Sequence, residues 1–203
     1  IQNRLVALNR LGDAQDQLGD SRAAVATFRD MVAMGSRLID IDAYNTSWAS
    51  DLAVGLERLG NAQEKAGDPA GALKSHRESL ALREWLVGRD SSEPGWYRDL
   101  AVSYERVAAM LAATGDMDQA LSHQDTSLSM MRNLAATYPD DPWYRLDVVR
   151  ALDMRGTLLQ DPTAENREAL AILEEMQAGG TLPQGYEDWI AGFRRALGLP
   201  TEF

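Results

Sequence analysis

The chain has 203 residues, no cysteine, two histidines and a formal net charge of −11. This acidity argues against binding to nucleic acid, which needs a basic surface, and against binding to anionic membranes. The absence of cysteine excludes disulfides and thiolate metal sites. No apolar run approaches the roughly 20 residues of a membrane-spanning helix. The sequence therefore predicts a protein without a nucleic-acid or membrane partner.

A repeat with a period of 48 residues runs along the chain. The segment RLGDAQDQLGD at 10–20 returns as RLGNAQEKAGD at 58–68 and, less closely, as RVAAMLAATGD at 106–116. A period of this size is typical of supersecondary units that bury their apolar faces by stacking on their neighbours. The repeat predicts a single array of such units.

Each unit is predicted to contain two helices joined by a Gly-Asp turn. A glycine tolerates the left-handed conformation that ends one helix, and the aspartate accepts the free N–H groups that open the next. The turns are Gly19-Asp20, Gly67-Asp68 and Gly115-Asp116. Pro94 and Pro142 are expected near helix starts. The helices are predicted at about 48–66, 69–87, 96–114, 117–137 and 143–159.

Small and aromatic residues recur at the same interval. Gly12, Gly60 and Ala108 share one position of the first helix, and Ala24, Ala72 and Ala120 share one position of the second. Facing small residues let two helix backbones approach closely, so we interpret them as packing positions. Trp48, Trp96 and Trp143 begin successive first helices and are expected to cover the junctions between units, whereas Trp85 lies outside this series.

Both ends depart from the pattern. In the fourth unit Asp161-Pro162-Thr163 replaces Gly-Asp, and either Arg155 or Gly156 takes the small position. Residues 186–197 are predicted to form a terminal helix around Trp189 that caps the array. Ile1 aligns with Ala49, one residue past the tryptophan position, so we expect the natural protein to continue upstream. The alternative is an array that begins with a shortened helix.

The Leu-Gly pair, the Gly-Asp turn and the following Ala72-Leu73 and Ala120-Leu121 resemble the tetratricopeptide repeat (TPR). The interval is longer than usual for that family, which makes the chain similar to long-helix variants in bacterial multidomain proteins. The resemblance implies an all-α, right-handed superhelical array of antiparallel helix pairs, an α-solenoid with a C-terminal capping helix. The array would span 1–178, in units of about 1–47, 48–95, 96–142 and 143–178, followed by a linker and cap at 179–203.

In the family, first helices line a concave groove that holds peptides or partner helices. Carried over to this chain, the partner-binding residues would be Asn9, Asp13, Gln17, Glu57, Asn61, Glu64, Lys65 and Glu105, with Ala109 and Ala112 beside them. Family members that clamp a C-terminal carboxylate use lysine or arginine where Glu57 and Glu105 stand. Because acids there would repel a carboxylate, we expect a basic or amide-rich partner. The alternative is a solvated face without a ligand.

Catalytic patterns are not found. His76 and His123 are not repeat-equivalent and have no ligand spacing around them, and the sequence holds no glycine-rich phosphate loop and no nucleophile elbow. We therefore predict no catalytic, metal or cofactor-binding residues, and a non-enzymatic interaction scaffold in the bacterial cytoplasm, within a larger signalling or regulatory protein. The alternative is a ligand-sensing domain whose small-molecule pocket controls an upstream effector enzyme. Self-association is a further alternative.

Overall fold

The structure is a computed structural model that describes residues 2–90 and 93–201. These two ranges contain nine helices and no strand, which confirms the predicted all-α class. The helices are α1 (Gln2–Gln17), α2 (Ser21–Ile41), α3 (Thr46–Lys65), α4 (Pro69–Arg89), α5 (Pro94–Ala113), α6 (Met117–Thr137), α7 (Pro142–Thr157), α8 (Thr163–Ala178) and α9 (Glu187–Ala196). The alignment of Ile1 lies outside the described residues.

The chain divides into two compact units, Ile1–Asp116 and Met117–Phe203. In unit 1 each helix from α1 to α5 packs against the next along the chain, and in unit 2 the same holds from α6 to α9. Within each unit, the short connections from α1 to α5 and from α6 to α8 make neighbouring helices antiparallel. The predicted division into four sequence units remains a prediction.

The Gly-Asp turns form as predicted. Gly19, Gly67 and Gly115 have φ values of +78°, +80° and +90°, in the left-handed region. At the first turn the Asp20 N–H donates to the Gln15 carbonyl at 2.9 Å and the Gly19 N–H donates to that of Asp16 at 3.0 Å, a Schellman motif that returns at both later turns. The side chains of Asp20 and Asp68 then accept the N–H groups of Ala23 and Gly71.

Beside Gly12 and Gly60 of the first helices, the space that a side chain would occupy is taken by a ring from the second helix. A Cβ on Gly12 would lie 2.5 Å from the Phe28 ring, and one on Gly60 would lie 2.5 Å from the His76 ring. Phe28 and His76 are themselves 48 residues apart and fully buried. The packing interpretation is correct, and the residue that fills each hole is a large ring rather than the expected alanine.

In unit 2 the last repeat departs from the 48-residue pattern of the earlier ones. Gly156, not Arg155, takes the small position, since it is buried and its Cβ would lie 3.2 Å from Pro162. Helix α9 packs on α8 through buried Ile190 and Phe193, and the Arg194 Nε donates to Glu174 at 2.9 Å.

The tryptophans that begin the first helices do not all behave as predicted. Trp48 packs against the core of unit 1 and Trp96 is half-buried, but Trp143 is 53% exposed and touches Tyr186 edge-on. The expectation that Trp143 covers a junction is therefore wrong for most of its ring. Among the described residues, no helix is both long and apolar enough to span a membrane.

Candidate functional site

Two of the predicted partner-binding residues are not free on the surface. The Glu57 Oε2 pairs with the Arg83 Nη2 at 2.5 Å, and Glu105 is buried with only 1% of its surface exposed. A partner must reach a carboxylate to bind it, so the assignment of Glu105 to an open surface is corrected. The ion pair with Arg83 gives Glu57 a structural role.

Arg83 explains why Glu57 is held. Its side chain is buried, and its Nη1 also pairs with Asp99 at 2.8 Å. The guanidinium of α4 thus joins Glu57 of α3 to Asp99 of α5. The guanidinium is buried while both carboxylates are partly exposed, so the positive charge of Arg83 would be costly to leave without these partners. Arg83 thereby links α3 and α5 through α4, on which both helices pack.

The other predicted residues divide into paired and accessible ones. Asp13 pairs with Arg58 at 3.4 Å and Lys65 pairs with Asp16 at 2.6 Å, so both join α1 to α3. Gln17 and Glu64 are exposed. Asn9 and Asn61 are half-buried, and the buried Oδ1 of each has no hydrogen-bond partner among the described residues.

The repeated exposed residues of the first helices follow the predicted binding residues Asn9, Glu57 and Glu105 by one position. Val6, Val54 and Val102 occupy one repeat position, and Arg10, Arg58 and Arg106 occupy another, four residues later. Residues four apart on a helix share a face. All three arginines are exposed, Val6 is 52% exposed, and the other two valines are half-buried. We call these six residues the valine–arginine strip.

Ion pairs within unit 1 link the three helices of the strip. The Arg58 side chain reaches Asp13, one turn after Arg10. On the other side, Glu57 and Asp99 share the guanidinium of Arg83. The strip was detectable in the sequence, since an arginine opens all three copies of the repeated segment, at residues 10, 58 and 106.

The charges of the strip are mostly not neutralised. Within the described residues Arg10 and Arg106 make no ion pair, whereas Arg58 is paired with Asp13 and its side chain is 45% exposed. Asp51 lies one turn before Val54, and burial raises the pKa of its carboxyl above the usual value. The result is a line of cationic groups beside apolar methyl groups, on a protein whose net charge is −11.

A concave groove lies between α2 and α4, and α3 also contributes to its lining. This groove of about 470 Å³ is lined mainly by apolar side chains, among them Val32, Ile39, Leu56, Leu82 and Trp85. The guanidinium of Arg89 stacks over both Trp85, at 4.9 Å, and Tyr44, at 4.6 Å. Trp85, which the repeat left unexplained, is thus a wall of this groove.

The described residues hold no cluster of three or more His, Cys, Asp or Glu side chains that could bind a metal ion. His76 is buried, and desolvation together with the nearby positive charge of Arg106 lowers its pKa to about 4. The ring fills the space beside Gly60, so His76 acts as a packing residue.

No protein-family model matches the sequence, and no curated protein matches it. Solved structures do resemble it. BtubC (BKLC) from P. vanneervenii superposes with a TM-score of 0.70 at 15% identity, over 94% of this chain and 69% of that one. A putative kinesin light chain from Podosopora anserina with TPR-like repeats gives 0.62 at 18% identity, over 96% and 87%.

A thermophilic TPR protein from Thermus thermophilus, TTC0263, gives a TM-score of 0.52 at 20% identity, over 97% of this chain and 82% of that one. Identities this low show the fold alone. The chain has a TPR-like α-solenoid fold, as the resemblance in its sequence implied.

Proposed function

We propose that the chain is a non-enzymatic interaction scaffold that binds an extended peptide segment across the first helices of unit 1. One observation carries the proposal, namely the valine–arginine strip, in which two exposed arginines have no ion-pair partner among the described residues. TPR-like folds commonly serve as interaction scaffolds, but a fold alone does not assign a function. The proposal therefore depends on the chemistry of the strip.

The partner segment that fits the strip is acidic and apolar. Valine methyl groups offer apolar contact, and a guanidinium binds a carboxylate with two parallel hydrogen bonds. The earlier expectation of a basic partner depended on Glu57 and Glu105, of which the first is paired and the second is buried.

The Arg-rich composition is typical of a GC-rich bacterial genome, and we place the scaffold in a bacterial cytoplasm as part of a larger protein.

Peptide display against the purified protein tests this proposal. We expect the wild-type chain to enrich peptides that combine Asp or Glu with apolar residues. The variant R10Q/R58Q/R106Q should lose that enrichment. Its matched control is R22Q/R29Q/R77Q, which removes an equal number of positive charges from exposed positions of α2 and α4. Unaltered enrichment with the first variant would contradict the proposal, and sensitivity to A81R instead would place the peptide in the groove between α2 and α4.

A further inference from the structure

A second pocket lies wholly within unit 2, between α7, α8 and α9. Its volume is about 310 Å³, and its lining includes Asp153 of α7, Asn166 of α8, and Asp188, Trp189, Gly192 and Phe193 of α9. Small-molecule sites in proteins begin at about this volume. The pocket therefore has room for the end of a side chain or for a small ligand.

The polar groups of the pocket carry negative charge that the protein leaves unbalanced. Within the described part of the chain, neither Asp153 nor Asp188 forms an ion pair or a side-chain hydrogen bond. Both carboxylates are exposed to solvent at the mouth of the pocket, and partial burial raises the pKa of the Asp153 carboxyl above its usual value. A cation placed in the pocket would relieve this desolvation by supplying the missing opposite charge.

The apolar wall of the pocket is aromatic. Trp189 and Phe193 lie one turn apart on α9, with ring centroids 6.5 Å apart in an edge-to-face arrangement, and Tyr186 extends the row at 5.6 Å from Trp189. An aromatic ring attracts an ammonium or guanidinium group within about 6 Å of its centre, most strongly in the case of tryptophan. Carboxylates together with such rings select organic cations over neutral molecules.

Gly192 keeps the pocket open. It stands inside α9, where glycine is less stable than alanine by about 1 kcal/mol. Packing does not require the glycine, because a Cβ at this position would meet nothing within 4 Å. A larger side chain there would extend from the same face as Asp188, four residues earlier, into the space of the pocket.

We propose that this pocket binds an organic cation, that is, the ammonium or guanidinium end of a lysine or arginine side chain or of a free polyamine. The charges of Asp153 and Asp188 and the ring of Trp189 would hold the cation. This inference goes beyond the proposed function, since it concerns the other unit and a ligand of opposite charge. A failure of either proposal leaves the other standing.

The test is an NMR titration of the ¹⁵N-labelled full chain that follows the indole N–H of Trp189, assigned by its loss in W189F. The probes are N-acetyl-arginine amide, N-acetyl-lysine amide and spermidine, with N-acetyl-citrulline amide as the neutral control. We expect a saturable shift with at least one cationic probe and none with citrulline. Arginine or lysine amide binding would indicate a peptide ligand, and binding of spermidine alone would indicate a free polyamine. Equal shifts with citrulline, or no shift with any cation, would overturn the proposal.

Variants assign the binding to this pocket. D153N/D188N should weaken binding at least about ten-fold, because removing both carboxylates leaves only the ring. G192L should block the pocket without lowering the melting temperature, since leucine is the better helix former and a Cβ at this position meets nothing within 4 Å. D51N is the matched control, because it removes a desolvated carboxylate from unit 1. Retained affinity in both pocket variants would contradict the assignment.

Discussion

At the scale of single residues, the most constrained positions are the glycines beneath buried rings. Gly60 and His76 meet so closely that a single added carbon on the glycine would require the ring to move. Interiors are packed too densely to absorb such a shift without cost. The fold therefore depends on the absence of a side chain at this position.

We expect G60A to lower the free energy of unfolding by about 1–3 kcal/mol, the usual cost of overpacking a core. Alanine is otherwise the better helix former, so the sign of the effect isolates the clash. G88A is the control, because Gly88 lies in α4 with nothing within 4 Å of its would-be Cβ. It should raise stability by about 0.5–1 kcal/mol. Chemical denaturation measures both changes, and a stabilised G60A would show that the ring can move freely.

His76 makes stability depend on pH. Its pKa is lowered from 6.5 to about 4 in the folded chain by desolvation, with a further contribution from Arg106. Between these values the unfolded state binds more protons, so stability falls as the pH is lowered from 6.5 towards 4. We expect H76Q to lose less stability than the wild type between about pH 7 and pH 5. Melting curves at the two pH values test this, and parallel losses would contradict the proposed role of His76.

At the scale of helices, Arg83 ties three of them together. Its buried guanidinium pairs with Glu57 of α3 and Asp99 of α5. Removing one partner of a buried ion pair leaves a charge without compensation. The contact is therefore structural, although the Glu57 carboxylate was first interpreted as a binding residue.

We expect E57K to destabilise the chain by about 1–3 kcal/mol, because it places a second cation against the buried guanidinium of Arg83 at a half-buried position. The control E64K makes the same change at an exposed site about two turns along the same helix and should change stability by about 0.5 kcal/mol or less. Thermal or chemical denaturation measures both. Equal melting temperatures for E57K and the wild type would show that the Arg83 pair is dispensable.

The last helix should be required for a well-behaved monomer. Ile190 and Phe193 are buried in unit 2, so deleting residues 180–203 would uncover the apolar surface on which α9 packs. We expect a lower melting temperature and self-association, measured by light scattering after gel filtration. The shorter deletion 199–203 keeps α9 and serves as the control. A stable monomer after the long deletion would contradict the capping role.

How far the sequence predicted these features depends on the range of the interaction. The Gly-Asp turns and the proline helix starts were predicted well, because each is settled by neighbouring residues. The ion pair of Glu57 could not be predicted, because its partner Arg83 lies 26 residues away on another helix. The strip was missed because adjacent residues point about 100° apart around a helix. A prediction based on Glu57 rather than Arg58 therefore describes a different face of α3.

At the scale of the whole molecule, the charge of the chain and the charge of the proposed site differ in sign. The net charge of −11 describes the chain as a whole and not each of its surfaces. The valine–arginine strip in unit 1 offers cations, while the pocket in unit 2 offers carboxylates. A repeat fold can carry such different sites because packing constrains only the buried positions and leaves the exposed positions free to differ between one part of the array and another.

The most direct test of the central claim is the affinity of a display-selected acidic peptide, measured by fluorescence anisotropy at several salt concentrations. We expect R10Q/R58Q/R106Q to weaken binding at least about ten-fold at low salt, because carboxylate–guanidinium contacts are lost. The wild-type affinity should fall as salt rises, since exposed charges are screened. The control R22Q/R29Q/R77Q, with the same net charge, should bind within about two-fold of the wild type. An equal loss in both variants would mean that overall charge rather than the strip attracts the peptide, and would contradict the proposal.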